Sequence, residues 1–402
     1  MKNLLRPFLP QWVLNYFYHL PIAILANILY GFPSRGLKVI GVTGTDGKTT
    51  TVNMVYQILK ASGRKVSMVS TINSPGLHVT SPDSFLVQKL IKDAADKGSG
   101  YMILEVTSHA LDQFRFWGIK WEIGIITNIT HEHLDYHKTW TNYFNTKSKL
   151  IRDAKVAVLN RDENHFSRLS HVPHRMCKVV SFGLSKQANF NPENFSFKLK
   201  IPGEFNALNG LAAAAAATSL GVDTRIIKQT LSNFQSLPGR MEEVENKKGL
   251  RIVIDFAHTP NGLENVLNAL RSKARPWRLG RLIALIGAEG YRDVKKRPMM
   301  GEIAQKISDV VIVTAVDPRG QVKEINKQIK KGSLKAGAKS GQNFYIIEDR
   351  QRAINFAIRQ LAKNGDTIGI FGKGHEKSMN LDGRHEILWS DKEAVERALK
   401  YG

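Results

Sequence analysis

Val39-Ile40-Gly41-Val42-Thr43-Gly44-Thr45-Asp46-Gly47-Lys48-Thr49-Thr50-Thr51 is the stretch on which the fold turns. An apolar, β-rich lead-in runs into glycines, then Lys-Thr-Thr, then a helix-like run from Val52 to Lys60. Strand, glycine loop, helix is the order of a phosphate loop. Its backbone N–H groups turn inward around phosphate oxygens, and the positive end of the helix dipole adds to them. Lys48 can reach the β- and γ-phosphates as a point charge, and the Thr49 hydroxyl is placed to hold Mg²⁺. The glycines fall at 41, 44 and 47, whereas a standard Walker A loop needs one where Val42 stands. The stretch reads as the ATP site of a variant phosphate-loop class.

Around it lie 402 residues, 42% hydrophobic and 23% charged, which suits a soluble globular protein of two or three domains. One cysteine, Cys177, excludes a disulfide framework and a multi-cysteine zinc site and fits a reducing cytoplasm. A net charge of +23 attracts nucleic acid, anionic membrane or anionic substrate alike. No zinc finger, RNA-binding signature or basic-aromatic repeat accompanies it, so nucleic acid is not an expected partner.

Between 37 and 237 short apolar runs alternate with helical ones. Strands are expected at 66–71, 101–106, 123–128 and 156–160, and helices at 48–62, 84–97, 141–153 and 206–220. Buried strands alternating with helices predict a parallel sheet covered on both faces, with ligands at the carboxyl ends of its strands. The Ala212-to-Ala217 tract reads simply as good helix former. Leu237-Pro238-Gly239-Arg240 is a turn and a boundary. Beyond it, strands at 251–254, 282–286, 310–314, 344–347 and 367–371 repeat the rhythm, and 323–339 reads as a basic helix with a solvated face. The fold class is α/β: a central phosphate-loop parallel-sheet ATPase domain at 39–238, then a smaller doubly wound Rossmann-like domain at 239–402. An apolar and basic segment, 1–38, precedes both. The interruptions Asn15, His19, Pro21 and Asn27 argue against a full span. It reads as an amphipathic stretch lying on a membrane surface or packed on the next domain.

Chemistry-bearing residues follow the expected strands. Glu105, in Leu104-Glu105-Val106-Thr107-Ser108-His109, is an acid at a buried strand end, costly unless paired or bound to metal. With Thr49 it makes a plausible Mg²⁺ site, since that ion prefers oxygen donors. The segment from Thr130-His131-Glu132-His133 to Asp135-Tyr136-His137 is a metal or acid–base cluster; its spacing lacks the H-E-x-x-H register of zinc. Asp255-Phe256-Ala257-His258, Gly287-Ala288-Glu289-Gly290-Tyr291-Arg292-Asp293 and Gly372-Lys373-Gly374-His375-Glu376 each follow a strand and should converge on one rim. Such a rim suits an anionic nucleotide and a zwitterionic amino acid.

Gly44 to Thr50, Glu105 to His109, Asn128 with His133 to His137, and Gly372 to Glu376 together resemble the Mur ligases, over about residues 39–395. Within that family the motifs resemble the MurE type, the UDP-N-acetylmuramoyl-tripeptide synthetases. The resemblance implies that Gly44, Thr45, Gly47, Lys48, Thr49 and Thr50 cradle ATP, with Thr49 and Glu105 on a first Mg²⁺. His133 resembles the ligand of a second Mg²⁺, and Lys147 sits where the family carries a carbamylated lysine. Thr80, Ser81, Thr107 and Arg115 resemble contacts to the muropeptide acceptor. Asn206 and Asn209 resemble asparagines near the adenine, and Arg240, His258 and Asp349 residues that close on the nucleotide. Arg292, Asp317, Arg319, Gly372 and Glu376 resemble the pocket of the incoming amino acid. The implied enzyme is a cytoplasmic monomer that joins an amino acid to a muropeptide carboxylate through an acyl phosphate. Membrane contact at the inner face, through residues 1–38, is the reading of the apolar segment and lies outside the resemblance.

The departures are specific. Thirty-eight residues leave no room for the family's N-terminal domain, which grips UDP, so a lipid-linked or polyglutamate-like acceptor stays open, as does an inactive nucleotide-binding scaffold. Glu132 stands where the family usually has Asp, and Val316-Asp317-Pro318-Arg319 replaces Asp-Asn-Pro-Arg. Arg319 keeps a positive handle for a distal carboxylate, while the amino acid itself stays open.

Overall fold

A computed structural model describes residues 9–74, 80–172, 176–271 and 280–400. The chain forms two compact units. One comprises Met1–Ile129, Thr139–Leu199 and Asn206–Phe234; the other comprises Thr130–Lys138, Lys200–Phe205 and Gln235–Gly402.

The first unit is built on a six-stranded sheet. Its strands are β1 (Lys38–Thr43), β2 (Val66–Val69), β3 (Tyr101–Glu105), β4 (Trp121–Ile126), β5 (Val156–Asn160) and β6 (Lys178–Phe182), in the order β2-β3-β1-β4-β5-β6. Every pairing is parallel. Central β1 is buried from Val39 onward, as expected of a strand covered on both faces. Gly41 lies inside it for a packing reason. A Cβ there would come 2.5 Å from Leu150 and 2.8 Å from the Trp121 ring, so its absence lets the helix Trp140–Arg152 and the indole close on the sheet. Val42 is paired with Glu105 and Ile125. The strand therefore runs past the position where a standard loop would place its first glycine.

The expected helices occur as Lys48–Ala61, Ser84–Asp96, Trp140–Arg152 and Glu204–Ser219. Asp83 and Thr139 cap the second and third, accepting from the N–H groups of Leu86 and Asn142. Ala212 to Ala217 are all fully buried in the fourth. The tract thus does more than favour helix: six small side chains let neighbouring elements approach it closely.

In the second unit the strands are β7 (Glu242–Val244), β8 (Arg251–Asp255), β9 (Leu282–Ile286), β10 (Val310–Val313), β11 (Phe344–Ile346) and β12 (Thr367–Phe371), ordered β11-β10-β9-β12-β8-β7. All pairings are parallel except the edge strand β7, which runs antiparallel to β8. A small hairpin, β13 (Ser378–Asn380) with β14 (Glu386–Leu388), stands apart from the sheet. Apolar clusters fill both faces, one including Leu263, Leu267 and Val311, the other Ile252, Ile312 and Ile370. The basic run forms the helix Val322–Lys335, which is amphipathic rather than wholly solvated: Ile325 and Ile329 are buried.

The N-terminal segment forms one helix, Gln11–Leu29, with a π-turn at Asn15–His19. One face docks on its own unit. Asn15 Nδ2 donates to Asp112 Oδ2 at 2.7 Å, and Asn27 Nδ2 donates to the Trp117 carbonyl at 2.8 Å. Two of the four residues that interrupt the apolar pattern, Asn15 and Asn27, are therefore docking contacts, whereas Pro21 is exposed.

Candidate active site

At the carboxyl end of β1 the chain turns through Gly44 (φ 154°) and Gly47 (φ 84°) into the helix Lys48–Ala61. Both glycines are also pinned by neighbours. A Cβ on Gly44 would lie 1.8 Å from Thr127 Oγ1, and one on Gly47 would lie 2.3 Å from Asn209 Oδ1. The end of β4 braces the loop: Asp46 N–H donates to Asn128 Oδ1 at 2.9 Å, Thr127 Oγ1 donates to the Asp46 carbonyl at 2.6 Å, and Thr45 N–H donates to the Asn128 carbonyl at 3.0 Å. These bonds tie the loop backbone to the end of β4. Lys48 Nζ lies over it, donating to the carbonyls of Gly44 and Thr45 at 3.1 and 2.8 Å.

Thr49 and Glu105, far apart in sequence, meet here. Thr49 Oγ1 is 3.0 and 3.1 Å from the two carboxylate oxygens of Glu105, and Thr71 N–H donates to Glu105 Oε2 at 2.8 Å. Lys147 joins them from the helix Trp140–Arg152. Buried, it donates to the Gly44 carbonyl at 2.5 Å and lies 4.8 Å from the centre of the Tyr143 ring, while the Tyr143 hydroxyl is 3.1 Å from Thr45 Oγ1. Asn209, from the buried helix Glu204–Ser219, accepts from Thr51 Oγ1 at 3.3 Å and faces Gly47; Asn206 is buried one turn earlier. Thr50 is buried in the same helix as Lys48.

Beside Glu105 lies a second group. Ser81 Oγ donates to the Glu105 carbonyl at 3.0 Å and accepts from Thr107 N–H at 3.1 Å, while Arg115 Nη1 donates to the Ser81 carbonyl at 2.6 Å. Thr80 is the neighbouring, half-buried residue. His133 belongs to the segment Thr130–Lys138 of the second unit, where it takes a left-handed backbone (φ 57°) and lies 3.9 Å from Glu132. Among the described residues no three His, Cys, Asp or Glu side chains gather as a metal cage.

In the second unit the polar segments after β8, β9, β10 and β12 converge. Gly372 N–H donates to the Asp255 carbonyl at 3.1 Å, and Gly290 N–H to the Asp317 carbonyl at 2.7 Å. Arg240 stacks 4.4 Å over Phe256, whose ring also meets His258 and His375. Buried Lys373 holds both Asp317 at 3.1 Å and Glu376 at 2.5 Å. Asp317 also accepts from Asn380 N–H, and burial pushes its carboxyl up against the pull of Lys373. Arg319 has a left-handed backbone (φ 48°). Arg292 pairs with Glu289 at 3.0 Å. Burial alone would raise the Glu289 carboxyl, but Arg292, Lys296, His258 and Arg319 hold it at about 2. The His258 imidazole lies below its ordinary value, lowered by burial first and by Lys296 second.

Three residues to which the sequence assigns no individual role matter here. Asp255 is buried and accepts the N–H groups of Met241 and Ala257 at 2.7 and 2.8 Å, which fixes the turn carrying Arg240. Lys296 and Glu132 form a buried pair at 3.0 Å. Asp349, in contrast, is exposed and caps the helix Arg350–Asn355, accepting from Arg352 N–H at 2.7 Å.

A phosphate loop on a parallel sheet, followed by a doubly wound unit with a charged rim, defines a nucleotide-binding α/β protein. The Mur ligase middle domain matches residues 42–217, and the Mur ligase glutamate ligase domain matches 239–374. A UDP-N-acetylmuramoyl-L-alanyl-D-glutamate--2,6-diaminopimelate ligase of Clostridium botulinum is 35% identical over 406 residues, covering 94% of this chain and 81% of the relative. The solved structure of an enzyme of that name superimposes with a TM-score of 0.60 at 29% identity, covering 91% of this chain and 78% of that one. A Mycobacterium tuberculosis folylpolyglutamate synthase, solved with ADP and AMPPCP, shares the fold: TM-score 0.68, 18% identity, 87% and 91% coverage. The chain belongs to the Mur ligase family. It is an ATP-dependent ligase that forms amide bonds.

Proposed function

We propose that this enzyme joins an amino acid to the terminal carboxylate of a muropeptide during peptidoglycan precursor synthesis, as the names of its relatives describe. The observation that carries this reading is the braced phosphate loop with Thr49, Glu105 and Lys147 gathered on it. A carboxylate oxygen of the acceptor attacks the γ-phosphorus of ATP, and the bond to the bridging oxygen breaks, releasing ADP. The amine of the amino acid then attacks the acyl carbon; phosphate leaves and the nitrogen loses a proton. Loop N–H groups and Lys48 stabilise charge on the phosphate oxygens as it redistributes.

The donor set fits magnesium, which prefers hydroxyl and carboxylate oxygens. Thr49 and Glu105 would hold one ion, and His133 with carbamylated Lys147 a second; when bound, the ions neutralise phosphate charge. Carbamylation would turn the Lys147 ammonium, beside the Gly44 carbonyl, into an oxygen donor. Ser81, Thr107 and Arg115 would receive the acceptor. Arg292, Arg319, Asp317, Gly372 and Glu376 would receive the amino acid, with Lys373 fixing the two acids. Asn206, Asn209, Arg240 and His258 would receive the nucleotide; Asp349, by its position, would act through the helix it caps.

The enzyme works in the cytoplasm as a monomer, touching the membrane through its first 38 residues. The apolar outer face of the N-terminal helix favours one second reading, a lipid-linked acceptor. ADP release across paired acceptors and amino acids, with UDP, lipid or neither on the acceptor, tests both. Turnover that requires both partners supports the ligase; ADP release indifferent to either overturns it.

A further inference from the structure

Seven of the large apolar side chains exposed on this protein lie in or just before one helix, Gln11–Leu29. Trp12, Tyr16, Phe17, Leu25, Ile28 and Leu29 point outward, with Trp12 62%, Phe17 75% and Ile28 61% exposed. Leu14, Asn15, His19, Ala23, Ala26 and Asn27 are buried on the other side. An apolar stripe continuing over 19 residues would normally drift around a helix; the π-turn at Asn15–His19 resets the phase, so residues before and after it share one exposed face. Scattered exposed apolar residues need no explanation, whereas a contiguous patch of this kind does.

The occupant is indicated by charge. From Met1 to Thr45 there is no Asp or Glu, while Lys2, Arg6, Arg35 and Lys38 flank the helix on both sides. A face of Trp, Tyr and aliphatic side chains bracketed by cations suits an anionic lipid surface, with the aromatic rings at the headgroup level. Crossing the bilayer would strip Asn15 and Asn27 of their bonds to Asp112 and to the Trp117 carbonyl, so the helix lies in the plane of the surface. We propose that this face docks the enzyme on an anionic bilayer. The proposal makes the membrane contact read above specific to one helix face and is independent of the ligase chemistry.

The test is sedimentation of the full chain with vesicles of phosphatidylglycerol and phosphatidylcholine, against phosphatidylcholine alone, at physiological salt. Wild type should partition onto the anionic vesicles and much less onto the neutral ones. The triple change Trp12→Glu, Phe17→Glu, Ile28→Glu should weaken partitioning at least tenfold while ADP release with a soluble acceptor stays unchanged. Should the triple variant misfold, Phe17→Ser alone should weaken it severalfold. Undiminished partitioning of a folded variant, or none by wild type, overturns the proposal. So does a concentration-dependent dimer that the same changes abolish, which would give the face to a second copy of the chain. Sedimentation and ADP release are read separately, so an inactive protein that still partitions counts against the ligase reading alone.

Discussion

The Thr49 hydroxyl lies 3.0 and 3.1 Å from the two carboxylate oxygens of Glu105, a residue 56 positions away. The carboxylate is buried at the end of β3 and held there by this hydroxyl and the Thr71 N–H. A buried carboxylate satisfied by neutral donors attracts a cation strongly. The sheet register that sets β3 beside β1 brings these two oxygen donors together, as the proposed magnesium site requires.

Thr49→Val should therefore lower ADP release by about 10²-fold or more, as loss of a positioned electrostatic group does, and raise the magnesium concentration needed for half-maximal rate. Thr49→Ser, which keeps the oxygen, should stay within a few-fold of wild type. The check is ADP release against magnesium concentration; an unaltered magnesium requirement in the valine variant would remove Thr49 from the metal site.

Gly47→Ala forces a side chain onto a backbone at φ 84° and places Cβ 2.3 Å from Asn209 Oδ1. A strained backbone of this kind costs about 1–3 kcal/mol, and the loop must also shift away from the helix carrying Asn209. Denaturant midpoints should fall accordingly, and the shift in melting temperature that ATP gives the wild type should vanish.

The pair Lys296–Glu132 is almost completely buried, 3.0 Å apart, and the second oxygen of Glu132 makes no hydrogen bond. Lys296→Met leaves that carboxylate uncompensated and should cost about 3–5 kcal/mol. Adding Glu132→Leu should recover most of the loss, because the penalty belongs to the orphaned charge. Chemical denaturation of both variants decides it; a double variant no more stable than the single one would contradict the assignment.

Acid should weaken the second unit in two stages. The His258 imidazole is held below its ordinary 6.5, so the folded state favours its neutral form. That contribution is present above about pH 6.5 and is lost as pH falls through the depressed value. Glu289 is held at about 2 against an ordinary 4.5, so its contribution is lost between those values. Unfolding midpoints followed from pH 7 downward should show both slopes, His258→Asn removing the first and Glu289→Gln the second.

Much of this fold could be read from hydrophobic runs alone. The strands at 156–160, 282–286 and 367–371 occur with the expected ends, because each is a mainly apolar stretch buried along most of its length. The strand expected to reach Thr71 ends at Val69, since the Ser70 N–H turns to Asn73 and the Thr71 N–H to Glu105. Strands β6, β7, β13 and β14 carried too little signal: they are three to five residues long and lie at sheet edges or in a hairpin, where the partner rather than the local sequence makes the strand. Lys48, Thr49 and Glu105 were legible because motif spacing fixes them. The Lys296–Glu132 pair was not, because its members are 164 positions apart. An acid immediately before a helical run, as Asp349 is, reads as a helix cap.

In the proposed reaction the acceptor carboxylate is phosphorylated at the loop around Lys48. Supplying an acceptor whose terminal carboxylate carries heavy-isotope oxygen, and weighing the inorganic phosphate released during turnover, tests this directly. One heavy oxygen in each phosphate is the predicted result; phosphate with no label would contradict it.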